Sequence, residues 1–188
     1  MDVTIASEVL KKYKIEEATS KDPRREVLHA VHVANVNGSA KAIATDGRML
    51  AMVPVEMGDG DSDNVNVRKE AFQAARKAYG RLPVVHLKLN GKAIVNEPGS
   101  ERAFDYIDGQ YPNFTQVLPK AAEQSVSVTL DANLLVKLWK ALGGEDDKRQ
   151  GITLKIGCVN GKTEQTRPIE VSVRGADGYG LLMQMRTE

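Results

Sequence analysis

One cysteine and one tryptophan, with three phenylalanines and five tyrosines, are all this 188-residue chain offers of those residue types. A lone Cys158 can close no internal disulfide and build no cysteine-based zinc site. It reads as a strand residue of a cytoplasmic protein. No stretch approaches the roughly 18 apolar residues of a membrane span, so no membrane partner is expected. The opening MDVTIASEVLKKYK lacks the basic segment and apolar run of a secretory leader. Neither G-x-x-x-x-G-K-[ST] nor G-x-G-x-x-G occurs, so nucleotide hydrolysis and dinucleotide cofactors have no motif behind them, and no cofactor is expected. His29, His32 and His86 lie in β-like runs and read as satisfied sheet residues rather than members of a catalytic set. The acidic MGDGDSDN (57–64) has the flavour of a calcium loop without the later bidentate glutamate; it reads as a polar loop, and no metal site is expected. An enzyme is therefore not expected.

What is present is ordinary globular composition, 41% hydrophobic and 27% charged, organised by repetition. Three helix-period segments each follow a short β-like run. VTIA precedes SEVLKKYKI, with Ser7 as candidate cap and Val9, Leu10 and Tyr13 on one face. VNV precedes RKEAFQAARKAYGR, with Ala71, Phe72, Ala75, Ala78 and Tyr79 on one face. SVSVTL precedes DANLLVKLWKALGG, with Asp131 as cap, Leu134, Leu135, Leu138 and Leu142 inward and Gly143 as the stop. After each helix come β-like runs separated by turn signals such as NGS, NG and GADG. The pattern strand, helix, antiparallel strands thus appears three times at intervals of roughly sixty residues. It predicts an α+β fold, with 1–119 forming one domain of two repeats (about 1–60 and 61–119) and 120–188 a third repeat. No repeat can bury its apolar face alone, so the repeats must pack side by side.

Charge is distributed unevenly. The net is only +1, yet the three helices, counted over 7–15, 67–81 and 132–142, carry +8 between them, leaving −7 on the rest of the chain. Lys69, Gln73, Arg76 and Lys77 fall opposite the apolar face of the second helix, and Asn133, Lys137 and Lys140 do likewise on the third. Packed repeats would present a basic surface suited to phosphates, which give affinity and salt dependence without sequence readout.

Several stretches together resemble the bacterial-type DNA sliding clamp, the β subunit of DNA polymerase III. ATSKDPRREVLHAVHV resembles its first-repeat signature, AIATDGRMLA its A-T-D-G motif, DGQYPNFTQVLP its interdomain segment, and GLLMQMR its C-terminal end. The resemblance implies a closed ring on sequence-independent double-stranded DNA, with helices lining the hole and antiparallel sheets outside. Lys11, Lys14, Lys69, Gln73, Arg76, Lys77, Lys137 and Lys140 would then face DNA. It also implies a hydrophobic pocket for short peptides of the DNA polymerase and clamp loader. The matching positions are Thr45, Gly47, Arg48, Leu50, Pro112, Gln116, Val117, Leu181, Met183, Met185 and Arg186. Methionines suit varied apolar clients, and a glycine permits a tight turn.

Two departures touch client preference: Gln184 stands where the family has proline, and Met49 near a common arginine. The larger departure is size. The family's three domains of two repeats face only three repeats here, half a clamp. A twelve-repeat ring then needs four chains, a homotetramer, of a kind expected among small phage-encoded clamps. The alternative reading is a clamp-fold adaptor that binds client peptides without encircling DNA.

Overall fold

The computed structural model describes residues 3–55, 64–79, 87–118, 127–145, 150–159, 162–163 and 168–185. The acidic stretch as far as Asp63, together with Arg81, His86 and Arg186, lies outside them. The chain divides into two compact units, Met1–Gln116 and Val117–Glu188.

In the first unit, strand β1 (Val3–Ile5) leads into helix α1 (Ser7–Lys12), followed by strands β2 (Ala30–Val36), β3 (Ser39–Thr45) and β4 (Leu50–Pro54). The second repeat runs β5 (Val65–Arg68), α2 (Lys69–Tyr79), β6 (Leu87–Asn90), β7 (Lys92–Glu97) and β8 (Ser100–Phe104). Each repeat supplies an antiparallel meander, but the strand ahead of each helix joins the other repeat's sheet. The two orders are β4-β3-β2-β5 and β1-β6-β7-β8. Ile5 lies opposite Leu87, and Val67 opposite Val31.

The two repeats are thus stitched together by exchanged strands, and α1 packs against α2. One core runs through both. Ile5, Leu10, Val31, Val33, Val67, Phe72, Leu87 and Leu89 are all nearly or wholly buried in it, each contributing about 1.5–3 kcal/mol from burial. Ala71, Ala75 and Ala78 line the buried side of α2 as the spacing predicts. Ser7 does not cap α1: it is the first helical residue, Ala6 takes the N-cap position, and no side chain caps that N-terminal end. His29 is also not a strand residue. It ends a 3-10 turn, Glu26–His29, and its Nε2 lies 2.8 Å from the Asp22 carbonyl.

In the second unit, helix α3 (Ala132–Ala141) precedes β9 (Ile152–Lys155), a short hairpin of β10 (Cys158–Val159) and β11 (Lys162–Thr163), then β12 (Ile169–Val173) and β13 (Tyr179–Leu182). Asp131 caps α3 as expected, its carboxylate accepting the amides of Asn133 and Leu134 at 2.8 and 3.3 Å. Gly143, at φ +88°, ends it. Leu135, Leu138 and Leu142 pack over Ile169, Val171 and Leu182. Leu134 departs from expectation: it is 47% exposed.

A further difference is that Ser127–Leu130, expected as a strand, is not one. Strand geometry needs a pairing partner, and the sheet of this unit, in order β13-β12-β9, does not include this segment. Val128 and Leu130 still pack onto the core, and the Thr129 carbonyl accepts the Met185 amide at 2.9 Å.

Candidate functional site

The turn between β3 and β4 is held by its own side chains. Thr45 Oγ1 donates to the Met49 carbonyl (2.6 Å) and accepts from the Gly47 amide (3.0 Å). Asp46 Oδ1 accepts the Arg48 and Met49 amides at 2.8 and 3.0 Å. Those amides, Met49 first, hold the Asp46 carboxyl below its usual range. Gly47 sits at φ +89°, which explains the glycine. The turn therefore presents Arg48 and Met49 to solvent while Leu50 faces inward.

Leu50 belongs to a small second cluster, with Leu28, Ala34, Ile43 and Tyr111 buried and Met52 and Phe114 packed on them. Tyr111 and Phe114 come from DGQYPNFTQVLP. That stretch looks like a connector, yet it anchors itself on the sheet. Tyr111 stacks on His32 with ring centroids 4.5 Å apart, and Phe114 meets the same imidazole edge-on at 6.0 Å. Burial pushes the Tyr111 phenol up to about 12 and lowers His32, whose hydrogen bond to Asn66 opposes the shift less strongly.

Asn66 explains the path of the segment. Its amide nitrogen donates to the carbonyls of Ile107 (3.2 Å) and Gly109 (2.8 Å). Its oxygen is thereby turned to His32 Nδ1 at 2.8 Å, so the neutral imidazole carries its proton on Nδ1. With Tyr111 fixed, Pro112, Gln116 and Val117 are exposed, Val117 at 70%. An open groove of about 540 Å³ runs beside the segment, bordered by Asn35, Asn37, Asn64, Pro112 and Thr115.

The other candidates lie in the second unit. Along β13 and the extended residues after it, side chains alternate. Leu182 is buried, whereas Tyr179, Leu181, Met183 and Met185 are all half or more exposed. Alternation puts these four on one face, an apolar stripe open to solvent. Tyr179 was not among the sequence candidates, although its spacing of two from Leu181 could have found it. In the first unit, Thr45, Gly47, Arg48 and Leu50 gather at one turn, and Pro112 and Gln116 belong to the segment sharing the Leu50 cluster. Arg186 lies outside the described residues.

The basic face needs a correction. Lys69, Gln73 and Lys77 lie on the outer side of α2, and Lys137 and Lys140 are exposed on α3. Lys11 is exposed too, and Lys14 is paired with Glu17 at 3.7 Å, both well solvated. Arg76 does not join them. Its guanidinium grips the buried Glu16 carboxylate with two bonds, at 2.9 and 2.7 Å. It also donates to the Tyr13 carbonyl at 3.0 Å and to the Leu10 carbonyl. Those carbonyls end α1 and lack helical donors, so Arg76 serves as a cap supplied from α2. Its place on the polar side of the helix looked like a phosphate contact because the partner lies sixty residues earlier.

Among the described residues no helix is long and apolar enough to cross a membrane, and no three potential ligands cluster to hold a metal.

No family model matches the chain. The β sliding clamp of Synechocystis sp. is 27% identical over 128 residues, 59% of this chain and 33% of that protein. The C. crescentus β sliding clamp superposes over 100% of this chain and 51% of its own, at a TM-score of 0.72 and 21% identity. DNA polymerase III subunit β from Borrelia burgdorferi, solved with a natural product, gives 0.72 over 97% of this chain and 48% of its own, at 16% identity. The chain therefore spans about half the length of these solved structures and a third of the curated relative. The resemblance read from the sequence is borne out, and the fold is that of the DNA sliding clamp.

Proposed function

We propose, from the sliding-clamp fold carried by the chain, that it acts as a DNA sliding clamp or clamp-like processivity factor. It would encircle duplex DNA as a ring and tether polymerase and clamp loader through short peptides. The observation that carries this reading is the likeness of all its residues to half of a β clamp, sheets, helices and connector together. Twelve repeats in a ring are reached by four chains of three.

Two features support it further. Lys77, Lys137 and Lys140 are exposed on helices, and Lys69 is half-exposed, where mobile phosphate contacts hold DNA without reading it. The stripe of Tyr179, Leu181, Met183 and Met185 leaves apolar area open that a peptide would cover. No step of this activity is catalytic.

The rival, a clamp-fold adaptor without a ring, gains from one observation: Arg76 is committed to Glu16, which thins the basic face. Retention on DNA separates the two. A ring remains on a nicked circle through gel filtration and slides off after linearisation. Equal retention on both, or on neither, overturns the clamp reading.

A further inference from the structure

The third repeat is built to the plan of the first two but lacks what each of those takes from its neighbour. Val3-Thr4-Ile5, Val65-Asn66-Val67 and Val128-Thr129-Leu130 stand at the same place ahead of α1, α2 and α3. In the first unit these segments are exchanged: β1 lies along β6, and β5 along β2.

The match extends to the hydrogen bonds. The Asn66 carbonyl accepts the Ile107 amide from the residues after β8, and the Thr129 carbonyl accepts the Met185 amide from the residues after β13, both at 2.9 Å. One edge of the third segment is thus occupied as in the second repeat. Beyond the other edge, where β5 has β2, the second unit has no strand among the described residues.

The complementary gap is on β9. As the first strand after the helix it corresponds to β2 and β6, each flanked on both sides; among the described residues β9 pairs with β12 alone. Leu87 and Leu89 of β6 are fully buried, whereas Ile152 and Leu154 of β9 are 40% and 37% exposed. The helix repeats the difference. Counted from the three valines, Leu134 takes the place of Val9 and Ala71. Ala71 is fully buried and Val9 packs on the same core; Leu134 is 47% exposed.

An open strand edge, a strand-forming segment without its strand and a bare leucine on one element set form a self-complementary surface. Two copies related by a twofold axis satisfy all three at once, each giving its 127–130 segment to the other's β9 and facing α3 with α3. We propose that the third repeat completes its clamp domain with the third repeat of a second copy of this chain. The domain that the first unit builds within one chain is here built from two. The pairing deepens the ring reading above, since it is one of the junctions a four-chain ring requires, but it forms without DNA.

The experiment is sedimentation of the full chain at micromolar concentration without DNA, comparing Leu134→Glu with Val136→Glu. Val136 is exposed to the same degree, 49%, but its counterparts Lys11 and Gln73 are exposed in the first unit, so it lies off the proposed contact. Leu134→Glu should halve the particle mass with unchanged circular dichroism, and Val136→Glu should leave it as in the wild type. In parallel, the amides of Ile152–Lys155 should exchange slowly in the wild type and at least tenfold faster in Leu134→Glu. A wild type of one-chain mass at every concentration, or equal behaviour of the two variants, overturns the proposal. Paired chains that fail on circular DNA would overturn the clamp reading and leave this one standing.

Discussion

Arg76 holds Glu16 in a two-pronged ion pair, with the carboxylate almost wholly buried and the guanidinium largely so. Breaking one side of such a pair leaves an uncompensated buried charge, which costs more than the pair itself contributes. Arg76→Ala also strips the carbonyls of Leu10 and Tyr13 of a donor. The expected loss is about 3–5 kcal/mol in urea unfolding. Arg76→Lys should recover only part of it, because an ammonium cannot bond both carboxylate oxygens in the fork geometry. If Arg76→Ala unfolds like the wild type and weakens DNA retention instead, the assignment fails.

His32 gives a pH signature. Burial lowers its pKa below the ordinary 6.5, so between the two values the unfolded chain binds more protons than the folded one. Its contribution is fully present above about 6.5 and is lost as pH falls through that value toward the folded pKa. Unfolding free energy should therefore decline from pH 7 to 5.5, and the decline should be shallower in His32→Gln. Parallel profiles for the two proteins would refute the buried, neutral imidazole, as would a ring titrating at or above 6.5 by NMR.

How much of this was legible beforehand depended on the range of the interaction. Helix faces, the Asp131 cap and the Gly143 stop follow from residues within one or two turns, and the period of the pattern carries them. Val3-Thr4-Ile5 reads as a strand with equal ease, yet a period of two does not say which edge the strand will join. Its exchange into the β6 sheet is set by loop paths and by the core shared between repeats. Arg76 and Leu134 show the same boundary. Helical periodicity puts Arg76 outside and Leu134 inside; a carboxylate sixty residues away reverses the first, and the second unit leaves the other exposed. At the site, the motif DGQYPNFTQVLP is legible in the sequence, but Asn66, which fixes its course, carries no signal of its own.

The exposed lysines Lys77, Lys137 and Lys140, with the half-exposed Lys69, should matter to DNA and hardly to folding. The pair Lys69→Ala and Lys77→Ala leaves Arg76 and the core untouched. In the log–log dependence of retention on salt, the slope should fall by about 0.9 for each phosphate contact removed. Lys137→Ala with Lys140→Ala should act in the same direction. Surface substitutions of this kind keep stability within about 0.5 kcal/mol, so a retention defect without an unfolding defect is the expected pairing. Unchanged retention in all four single variants would remove these helices from the DNA interface.

The stripe on the second unit makes the last prediction. Leu181 and Met183 are 60% and 55% exposed, so an aspartate at either place disturbs little of the fold while putting charge where a client's apolar side chains would lie. A loss of about 1.4 kcal/mol or more of apolar contact is at least tenfold in affinity. That loss can be read by fluorescence anisotropy of a labelled apolar peptide taken from a replicative polymerase tail. Leu182→Asp is the contrast: Leu182 is only 6% exposed and part of the core, so that variant should lose stability as well as binding. If Leu181→Asp and Met183→Asp bind the peptide as the wild type does while remaining folded, the stripe is not the client surface.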